Sequence, residues 1–287
     1  GHMVFVKNKQ LLGVPFDLNE MTTKGKAIPI VEGIESDMFG VVQFDISPQG
    51  SLVYLPNNNK PLEFELEWVD REGKSKPVLT LGPNQIQSGF RISPKGTRLA
   101  YSDKMDVWVH DLANSTPSRL TFNSSLDGWP AWSPGGENIV FSSFRNGIPN
   151  LYWKNSDGSG ETHRLTKSKN VQFPLDWHPD SKTLVIFEDT SDVGKLRLLP
   201  LTGDPLTGWT AGESRDFQST RSALINCRFS PDGRWLAFRS DISGQAQIYI
   251  RPFPGEGGMK QVSIDGKAKH PEWSQSTSEL LYGSPVG

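Results

Sequence analysis

A single cysteine, Cys227, occurs among the 287 residues of this chain. One thiol excludes an internal disulfide and a cysteine-rich zinc site, so neither can hold the fold together. Cys227 lies in a strand-like apolar run beside a turn, where a cysteine behaves as a small hydrophobic residue. We therefore predict that Cys227 is buried in the core. A cysteine count this low fits the cytosol and a bacterial periplasm equally well.

Long apolar runs are also missing. No stretch approaches the roughly 18 residues that a membrane-spanning helix needs, and the first residues show no signal-peptide pattern. No segment keeps an apolar period of 3.6 residues, so we expect few helices. Gly1-His2-Met3 resembles the remnant of a cleaved affinity tag, which leaves open a native leader or membrane anchor that has been removed.

Neither sign of charge dominates the chain. The sequence has 30 basic and 32 acidic residues, a net charge of −2, and the two signs are interspersed. A nucleic-acid surface needs a clustered basic stripe, so no nucleic-acid partner is predicted.

No kinase motif and no Gly-x-Ser-x-Gly nucleophile elbow occurs. Because the histidines occupy different positions of the repeat described next, no metal site and no cofactor are predicted.

The sequence does contain a short phrase in six copies. They occupy residues 44–50, 90–96, 131–136, 176–181, 228–233 and 272–277. The phrase has proline at positions 48, 94, 134, 179 and 231, with Gln275 in the sixth slot, so neighbouring copies are 40 to 52 residues apart. A period of about 40–50 residues is typical of a propeller blade made of four strands.

The fifth copy is the clearest example of the local chemistry. Ser230–Gly233 supplies a turn, because proline presets φ, aspartate bonds its own backbone and glycine tolerates positive φ. Trp235–Phe238 alternates as a second strand, and Ile248–Ile250 forms a third. A polar segment, Lys260–Ser263, closes the unit. Equivalent third strands are predicted at 107–109, 151–153 and 196–198, and signature tryptophans at Trp132, Trp177 and Trp273 are predicted to lie in the core.

The two chain ends are predicted to share one blade. Residues 11–16 match the third strand at 248–253, and 27–31 follow as a fourth strand, whereas the sixth copy has only two strands, 271–274 and 279–282. We predict that 11–16 pairs with 279–283, which leaves no open propeller edge. Val4-Phe5-Val6 also resembles a second strand and competes for that place. A truncated seven-bladed ring is the alternative that would explain this excess.

We therefore predict an all-β fold, a six-bladed β-propeller of four-stranded antiparallel blades, with the last blade closed by N-terminal strands. A single domain, residues 4–287, follows the tag remnant 1–3. The predicted blades are approximately 34–85, 86–123, 124–168, 169–218, 219–265, and 266–287 plus 4–33.

The run Ser230–Phe238, followed by Ile248–Ile250, resembles the TolB-type WD-like propeller repeat over essentially 44–283. Further segments resemble the C-terminal propeller region that follows the membrane segment of certain bacterial serine/threonine protein kinases; they are 11–17, 68–74, 150–154 and 250–255. This resemblance implies a sensor or interaction module outside the cytoplasm, periplasmic or at the cell surface, tethered to a kinase domain in the native chain. The same repeat precedes the hydrolase domain of prolyl-oligopeptidase-like peptidases, a domain that this sequence lacks.

A charged residue stands at the same position of five copies, on the innermost strand. These residues are Asp45, Arg91, Asp176, Arg228 and Glu272, with Ala131 in the remaining copy. Since the signs alternate, neighbouring blades can pair them, and the first interpretation is a set of buried inter-blade ion pairs. The second interpretation is a polar funnel in the channel that holds a small polar or charged ligand.

The leading functional hypothesis is a non-catalytic, monomeric binding or sensor module. Its ligand would be a protein, a peptide or a small polar molecule, bound at the channel face by the charged ring and by the loops that enter the innermost strands. Those loops carry Gln43, Trp129, Gln172, Asn226 and His270. The alternative is a hydrolase or lyase with its site at the mouth of the central channel, which would need converging titratable groups in a cleft.

Overall fold

Every helix or strand that the structure describes is a β-strand, and the fold is an all-β, six-bladed propeller of mostly four-stranded antiparallel sheets. The computed structural model describes residues 2–7, 10–17, 20, 22–34, 44–46, 51–54, 64–69, 74–81, 89–103, 105–114, 116–190, 194–220, 226–255, 257–264, 269–274 and 280–283. None of these residues forms a helix that could cross a membrane.

The strands follow one another in chain order as the repeat predicts. The first eight are β1 (His2–Lys7), β2 (Gln10–Asp17), β3 (Thr22–Thr23), β4 (Ile28–Glu32), β5 (Phe44–Ile46), β6 (Leu52–Tyr54), β7 (Phe64–Val69) and β8 (Ser75–Leu81). The next thirteen are β9 (Phe90–Ile92), β10 (Arg98–Asp103), β11 (Asp106–Asp111), β12 (Thr116–Arg119), β13 (Asp127–Trp132), β14 (Asn138–Ser143), β15 (Asn150–Asn155), β16 (His163–Arg164), β17 (Val171–Trp177), β18 (Thr183–Asp189), β19 (Gly194–Asp204), β20 (Gly208–Ala211) and β21 (Arg215–Thr220). The last six are β22 (Cys227–Phe229), β23 (Trp235–Ser240), β24 (Gln247–Pro252), β25 (Lys260–Gln261), β26 (Lys269–Trp273) and β27 (Leu280–Gly283).

The chain packs as two units. One comprises residues 1–83 and 226–287, and the other comprises 84–225. The first unit contains the sheets β5–β8 and β22–β25, the pair β26–β27 and the N-terminal strands β1–β4. The second contains the sheets β9–β12 and β13–β16, and a five-stranded sheet built from β17–β21.

The turn of the repeat phrase forms as its residues predict. In the third copy, the amide of Asn138 donates to the Ser133 hydroxyl at 3.0 Å, and the amide of Gly136 donates to the Ser133 carbonyl at 2.8 Å. Gly136 has φ +80°, a left-handed conformation that glycine adopts without a steric penalty. Ser181 holds the same place in the fourth copy at φ +61°.

The signature tryptophans join neighbouring sheets. Trp132 donates its indole N–H to the Arg91 carbonyl, and Trp273 donates to the Arg228 carbonyl, both at 2.9 Å. Each bond runs from the first strand of one sheet to the first strand of the sheet before it. Trp177 is also buried, and its ring packs edge-on against Trp209 at 5.0 Å. The predicted core positions of these tryptophans and of Cys227 are therefore confirmed.

The N-terminal strands correct one prediction. The strand β2 pairs with β1 along one edge and with β3 and β4 along the other, so both of its edges are occupied. The predicted pairing of 11–16 with 279–283 is therefore wrong. Instead β27 pairs with β26 and lies beside β1, which takes the place next to β2. Two residues of the predicted tag remnant, His2 and Met3, extend β1, because main-chain pairing needs no particular side chain.

The N-terminal segment is nevertheless part of the core. Leu11 is 1 % exposed and packs with Val31, Phe44 and Leu52, whereas Ile28 on β4 of the same segment is 62 % exposed. We expect Leu11→Ala to lower the free energy of unfolding by about 2–5 kcal/mol. Ile28→Ala is the matched control and should change it by less than about 0.5 kcal/mol. Urea unfolding of both variants measures this difference, and equal small effects would show that β2 is a dispensable appendage.

A buried histidine makes the stability depend on pH. His110 on β11 is 1 % exposed, and neither ring nitrogen has a hydrogen-bond partner in the described part of the chain. Burial lowers its pKa, while the charge of Asp111 acts in the opposite direction. Because the unfolded chain then takes up a proton that the folded chain refuses, stability should fall as pH drops below about 6.5.

Replacing this histidine should remove that contribution to the pH dependence. We expect His110→Leu to unfold with a shallower loss of stability between about pH 7 and pH 5 than the wild type. His163→Gln, a change at an exposed histidine, is the control and should keep the wild-type slope. Urea midpoints at several pH values measure both slopes, and an unchanged slope in His110→Leu would contradict the account.

Candidate functional site

Residues at one end of the sheets carry most of the predicted site. We call this the leading end: the end of each sheet at which the chain enters the first strand. The turns of the repeat phrase lie at the opposite end. Trp129, Gln172, Asn226 and His270 are all at or just before the start of a first strand, whereas Gln43 lies outside the described residues.

Trp129 is held in an unusual backbone conformation. The pairing of β13 with β14 shifts register between Gly128 and Ala131, and Trp129 within this shift has φ +54°. A bulky residue rarely adopts the left-handed region, and Pro130 restricts it further. The half-buried Trp129 ring lies 4.3 Å from the half-buried ring of Phe173, at an angle of 44°. The strained segment therefore fixes an aromatic pair at the leading end of two neighbouring sheets.

His270 repeats the same device in the other unit. It precedes Pro271, lies in the register shift between Lys269 and Glu272, and has φ +48°. Its Nε2 is 3.2 Å from the amide nitrogen of Asn226, which is 8 % exposed. The structure thus brings together two of the predicted site residues. Non-glycine residues with positive φ often occur where a side chain must be held in a functional position.

Gln172, the residue before Phe173, is held in place by hydrogen bonds. It is buried, its side-chain amide donates to Glu188 Oε1 at 3.0 Å, and its side-chain oxygen accepts a bond of 2.6 Å from the Thr166 hydroxyl. Its main-chain carbonyl accepts a bond of 2.7 Å from Ser142. The side chain is therefore engaged on both its donor and its acceptor side. Gln172 positions its neighbours and is poorly placed to contact a ligand directly.

Glu188 is the centre of this network, and the sequence did not single it out. Besides Gln172, it accepts bonds from Ser168 at 2.8 Å and from Arg197 Nη1 at 2.7 Å. Burial raises the pKa of Glu188, but the hydrogen bonds and the charge of Arg197 outweigh burial and bring this pKa below its ordinary value. Glu188 is therefore a paired structural carboxylate. The available signal was a charged residue at the end of the apolar strand β18.

Arg228 and Glu272 form the inter-blade ion pair that the charge pattern predicts. They lie on the first strands β22 and β26, and their side chains are 9 % and 11 % exposed. Arg228 Nε donates to Glu272 Oε2 at 2.8 Å, and Nη2 lies 2.6 Å from Oε1. This two-bond geometry matches the planar guanidinium to the carboxylate. The interpretation as a fastener therefore holds for this pair.

The other charged positions are less uniform. Asp45 is buried, whereas Arg91 and Asp176 are half-buried. Arg91 Nη1 donates to the carbonyl of Phe90 at 2.9 Å. The predicted pairs of Asp45 with Arg91, and of Arg228 with Asp176, stay predictions, as does the polar funnel for a ligand.

The buried ion pair gives a sharp stability test. Arg228→Ala leaves Glu272 charged and without its guanidinium partner in a buried site, so we expect a loss of about 3–5 kcal/mol of unfolding free energy. Arg234→Ala is the matched control, because Arg234 pairs with Asp232 at 2.7 Å but is 78 % exposed. The control should lose less than about 1 kcal/mol. Denaturant unfolding of both variants is the measurement, and similar losses would contradict a buried fastener.

Comparisons with known proteins agree with this fold. The family profile of the TolB beta propeller domain (PD40) matches residues 84–216. The chain is 27 % identical to Tricorn protease homolog 1 of Streptomyces coelicolor over 63 % of its own length, and 25 % identical to the uncharacterized peptidase YuxL of Bacillus subtilis over 53 %. A solved structure of TolB from Acinetobacter baumannii superposes with a TM-score of 0.71 at 17 % identity, covering 99 % of this chain and 66 % of that one.

These similarities support a TolB-type propeller and limit what can be transferred. The matches cover only 17 % of the Streptomyces protein and 29 % of the Bacillus peptidase, so the activities of those whole proteins are not shown for this chain. The likeness to the TolB structure shows the fold alone. The further resemblance to the propeller regions of bacterial kinases stays a prediction.

Proposed function

We propose that this chain is a non-catalytic binding module, and that the leading end of its sheets recognises a protein or peptide. The observation that carries the proposal is the Trp129–Phe173 pair. Two half-buried aromatic rings in contact at 4.3 Å offer a large apolar surface at a low cost in side-chain entropy. Trp129 is fixed by its left-handed backbone, so little ordering remains to be done when a partner binds.

The residues that hold the Trp129–Phe173 pair in place also fit a binding surface. Phe173 stacks on Phe187 at 6.1 Å with the two planes 14° apart, and Phe187 is 6 % exposed. The next residue of β18 is Glu188, which the hydrogen bonds of Gln172 and Arg197 hold in place. A binding surface is most effective when its contact residues are locked by packing and hydrogen bonds below them. This arrangement supports recognition by a preformed platform.

A polar contact is available in the other unit. The Asn226–His270 pair at the leading end offers a half-buried imidazole, which the buried Asn226 amide contacts. Such a group recognises main-chain or side-chain polar atoms. Within the proposal, this pair serves a peptide or a small polar ligand.

The enzymatic alternative has weaker support. A hydrolase or lyase needs titratable groups that converge on a reacting atom. At the leading end of the second unit, burial raises the pKa of Asp127, but Arg145 bonds its carboxylate at 2.9 Å. Glu188 is likewise bonded to Arg197 at 2.7 Å. Both carboxylates are engaged in structural pairs, so they favour binding over acid–base chemistry. The names of the Streptomyces and Bacillus relatives keep a peptidase as the second candidate.

The place of action is a further part of the proposal. The resemblance of several segments to the propeller regions of bacterial kinases supports a sensor outside the cytoplasm, tethered to a kinase domain. Sequencing the native gene around this segment tests that part directly. An upstream kinase domain and membrane span would support it, and a gene without them would overturn the tether.

The binding proposal predicts that one substitution lowers the affinity for peptides. We expect peptides selected by the wild-type protein from a phage-displayed library to bind Trp129→Ala at least about tenfold more weakly, because truncating a central aromatic anchor removes most of its contact energy. The control is Lys95→Ala, a change at an exposed side chain in a turn of the repeat phrase, at the opposite end of the second unit. Fluorescence anisotropy with the selected peptides gives both affinities.

Two outcomes would count against the proposal. Equal binding to Trp129→Ala and wild type would place the recognition surface elsewhere. Cleavage of a selected peptide by the wild-type protein, detected by mass spectrometry, would favour the peptidase candidate. Thermal unfolding of Trp129→Ala checks that any loss of affinity does not come from unfolding.

A further inference from the structure

A hairpin extension on the five-stranded sheet forms a second candidate site. The strand β19 pairs with β18 and β21 along its first half and then continues, pairing with β20 from Leu201 to Asp204. The repeat phrase did not predict this extension. Its signal in the sequence is the longest gap between repeats, 52 residues between Pro179 and Pro231.

Gly208 allows the hairpin to lie close to the neighbouring sheet, and Gly203 allows the two strands of the hairpin to approach each other. A Cβ atom at Gly208 would lie 2.7 Å from the ring of Trp153, and a Cβ atom at Gly203 would lie 1.9 Å from the Gly208 carbonyl oxygen. Both glycines have positive φ, +93° and +109°. The indole N–H of Trp209 also bonds the side chain of Asn138 at 3.0 Å, which ties β20 to β14. The approach of the two elements is therefore built into the sequence.

A cavity of about 350 Å³ lies between the hairpin and β16. Its apolar part includes Trp153, which stacks on His163 at 4.6 Å, together with Trp209 and the fully exposed Leu206. This volume lies at the lower end of the range for ligand sites in proteins. We call it the hairpin groove.

Main-chain groups of both bordering strands point away from the neighbouring strands of their own sheets. The amide of Gly212 bonds the Pro200 carbonyl at 2.8 Å, so the alternation of an antiparallel ladder directs the N–H and C=O of Trp209 and Ala211 away from β19. The amide of Leu165 bonds the Leu151 carbonyl at 2.8 Å, which directs the same groups of Arg164 away from β15. Both strands are the last of their sheets in the described part of the chain.

The groove contains two oppositely charged side chains, Glu161 and Arg164. Glu161 is exposed in its lining. The guanidinium of Arg164 is engaged elsewhere, with Asn150 Oδ1 at 2.9 Å and the Thr166 carbonyl at 2.8 Å. These bonds hold the guanidinium beside Asn150 and Thr166, so a cationic group of a ligand would lie beside the exposed Glu161 carboxylate.

From these observations, we propose that the hairpin groove binds an extended peptide, which adds as a strand to the open edge of β20. The outward main-chain groups of Trp209 and Ala211 would pair with the peptide backbone, as in other cases of strand addition. An apolar side chain of the peptide would cover Trp153 and Leu206, and a lysine or arginine would lie beside Glu161. This site is distinct from the leading-end surface and does not depend on it.

Defined peptides test the proposal. The probe is fluorescein-labelled Thr-Val-Lys-Val-Thr with a blocked C-terminus, compared with a version carrying Glu for Lys and a version N-methylated at its three central residues. In anisotropy titrations at about 0.15 M salt, we expect the Lys peptide to bind about two- to fivefold more tightly than the Glu peptide. N-methylation removes the backbone donors, so it should weaken binding at least about tenfold.

Two variants of the protein make the test specific. Glu161→Lys should reverse the preference between the Lys and Glu peptides, whereas Glu137→Lys, a charge change at an exposed glutamate that does not line the groove, should leave it unchanged. Ala211→Pro removes an outward amide that β19 does not use, so it should weaken binding at least about tenfold with little change in thermal stability. Trp129→Ala should bind the Lys peptide as the wild type does, which separates this site from the leading end.

Several results would overturn the proposal. They are failure of the Lys peptide to bind, equal binding of the N-methylated peptide, and an unchanged preference in Glu161→Lys. Self-association in analytical ultracentrifugation that Ala211→Pro abolishes would also overturn it, because a second copy of the chain would then occupy the groove.

Discussion

The contact between first strands of neighbouring sheets is the interaction on which the rest of this fold depends. A blade of four strands cannot bury both of its faces alone, so its stability comes from the sheets beside it. Trp132 and Trp273 supply both the apolar area and a directed hydrogen bond to a carbonyl of the preceding first strand. The Arg228–Glu272 pair adds a charged bond at the same level. Together these contacts fix how far and at what angle neighbouring first strands approach.

The contacts between first strands explain how the leading end keeps residues in a strained backbone conformation. Trp129 and His270 both precede a proline and have positive φ, three residues before the signature tryptophans Trp132 and Trp273. Such a conformation costs on the order of 1–3 kcal/mol and persists only where the surrounding structure determines it. The hydrogen bonds of Trp132 and Trp273 to the preceding first strands supply that constraint. The same feature that holds the blades together therefore also orients the side chains of the proposed binding surface.

The sequence was sufficient for the features that are local and repeated. The turn at Ser230–Gly233, the strand that follows it and the core position of Trp273 all result from short-range chemistry that recurs in several copies of the repeat phrase. The sequence also predicted the Arg228–Glu272 pair, because five of the six copies carry a charge at one place on the inner strand, and a buried charge there needs a neighbour of opposite sign.

Two kinds of feature could not be predicted in this way: those in which two segments compete for one place, and those that occur in a single blade. Both β1 and β27 have the sequence pattern of a second strand. The pattern does not show which of the two pairs with β2, and in the structure it is β1. The buried state of Gln172 depends on Glu188, a residue 16 positions away, so a loop glutamine looked like a ligand contact. The β20 hairpin occurs once, and a repeat-based alignment has no equivalent position for it.

Hydrogen–deuterium exchange on a complex with a library-selected peptide tests the central claim most directly. If the leading end of the second unit is the binding surface, exchange should slow in residues 126–133 and 171–175. The turns of the repeat phrase at 134–137 and 178–181, at the opposite end of the same sheets, should exchange as in the free protein. Protection of those turns, with unchanged exchange around Trp129 and Phe173, would contradict the account.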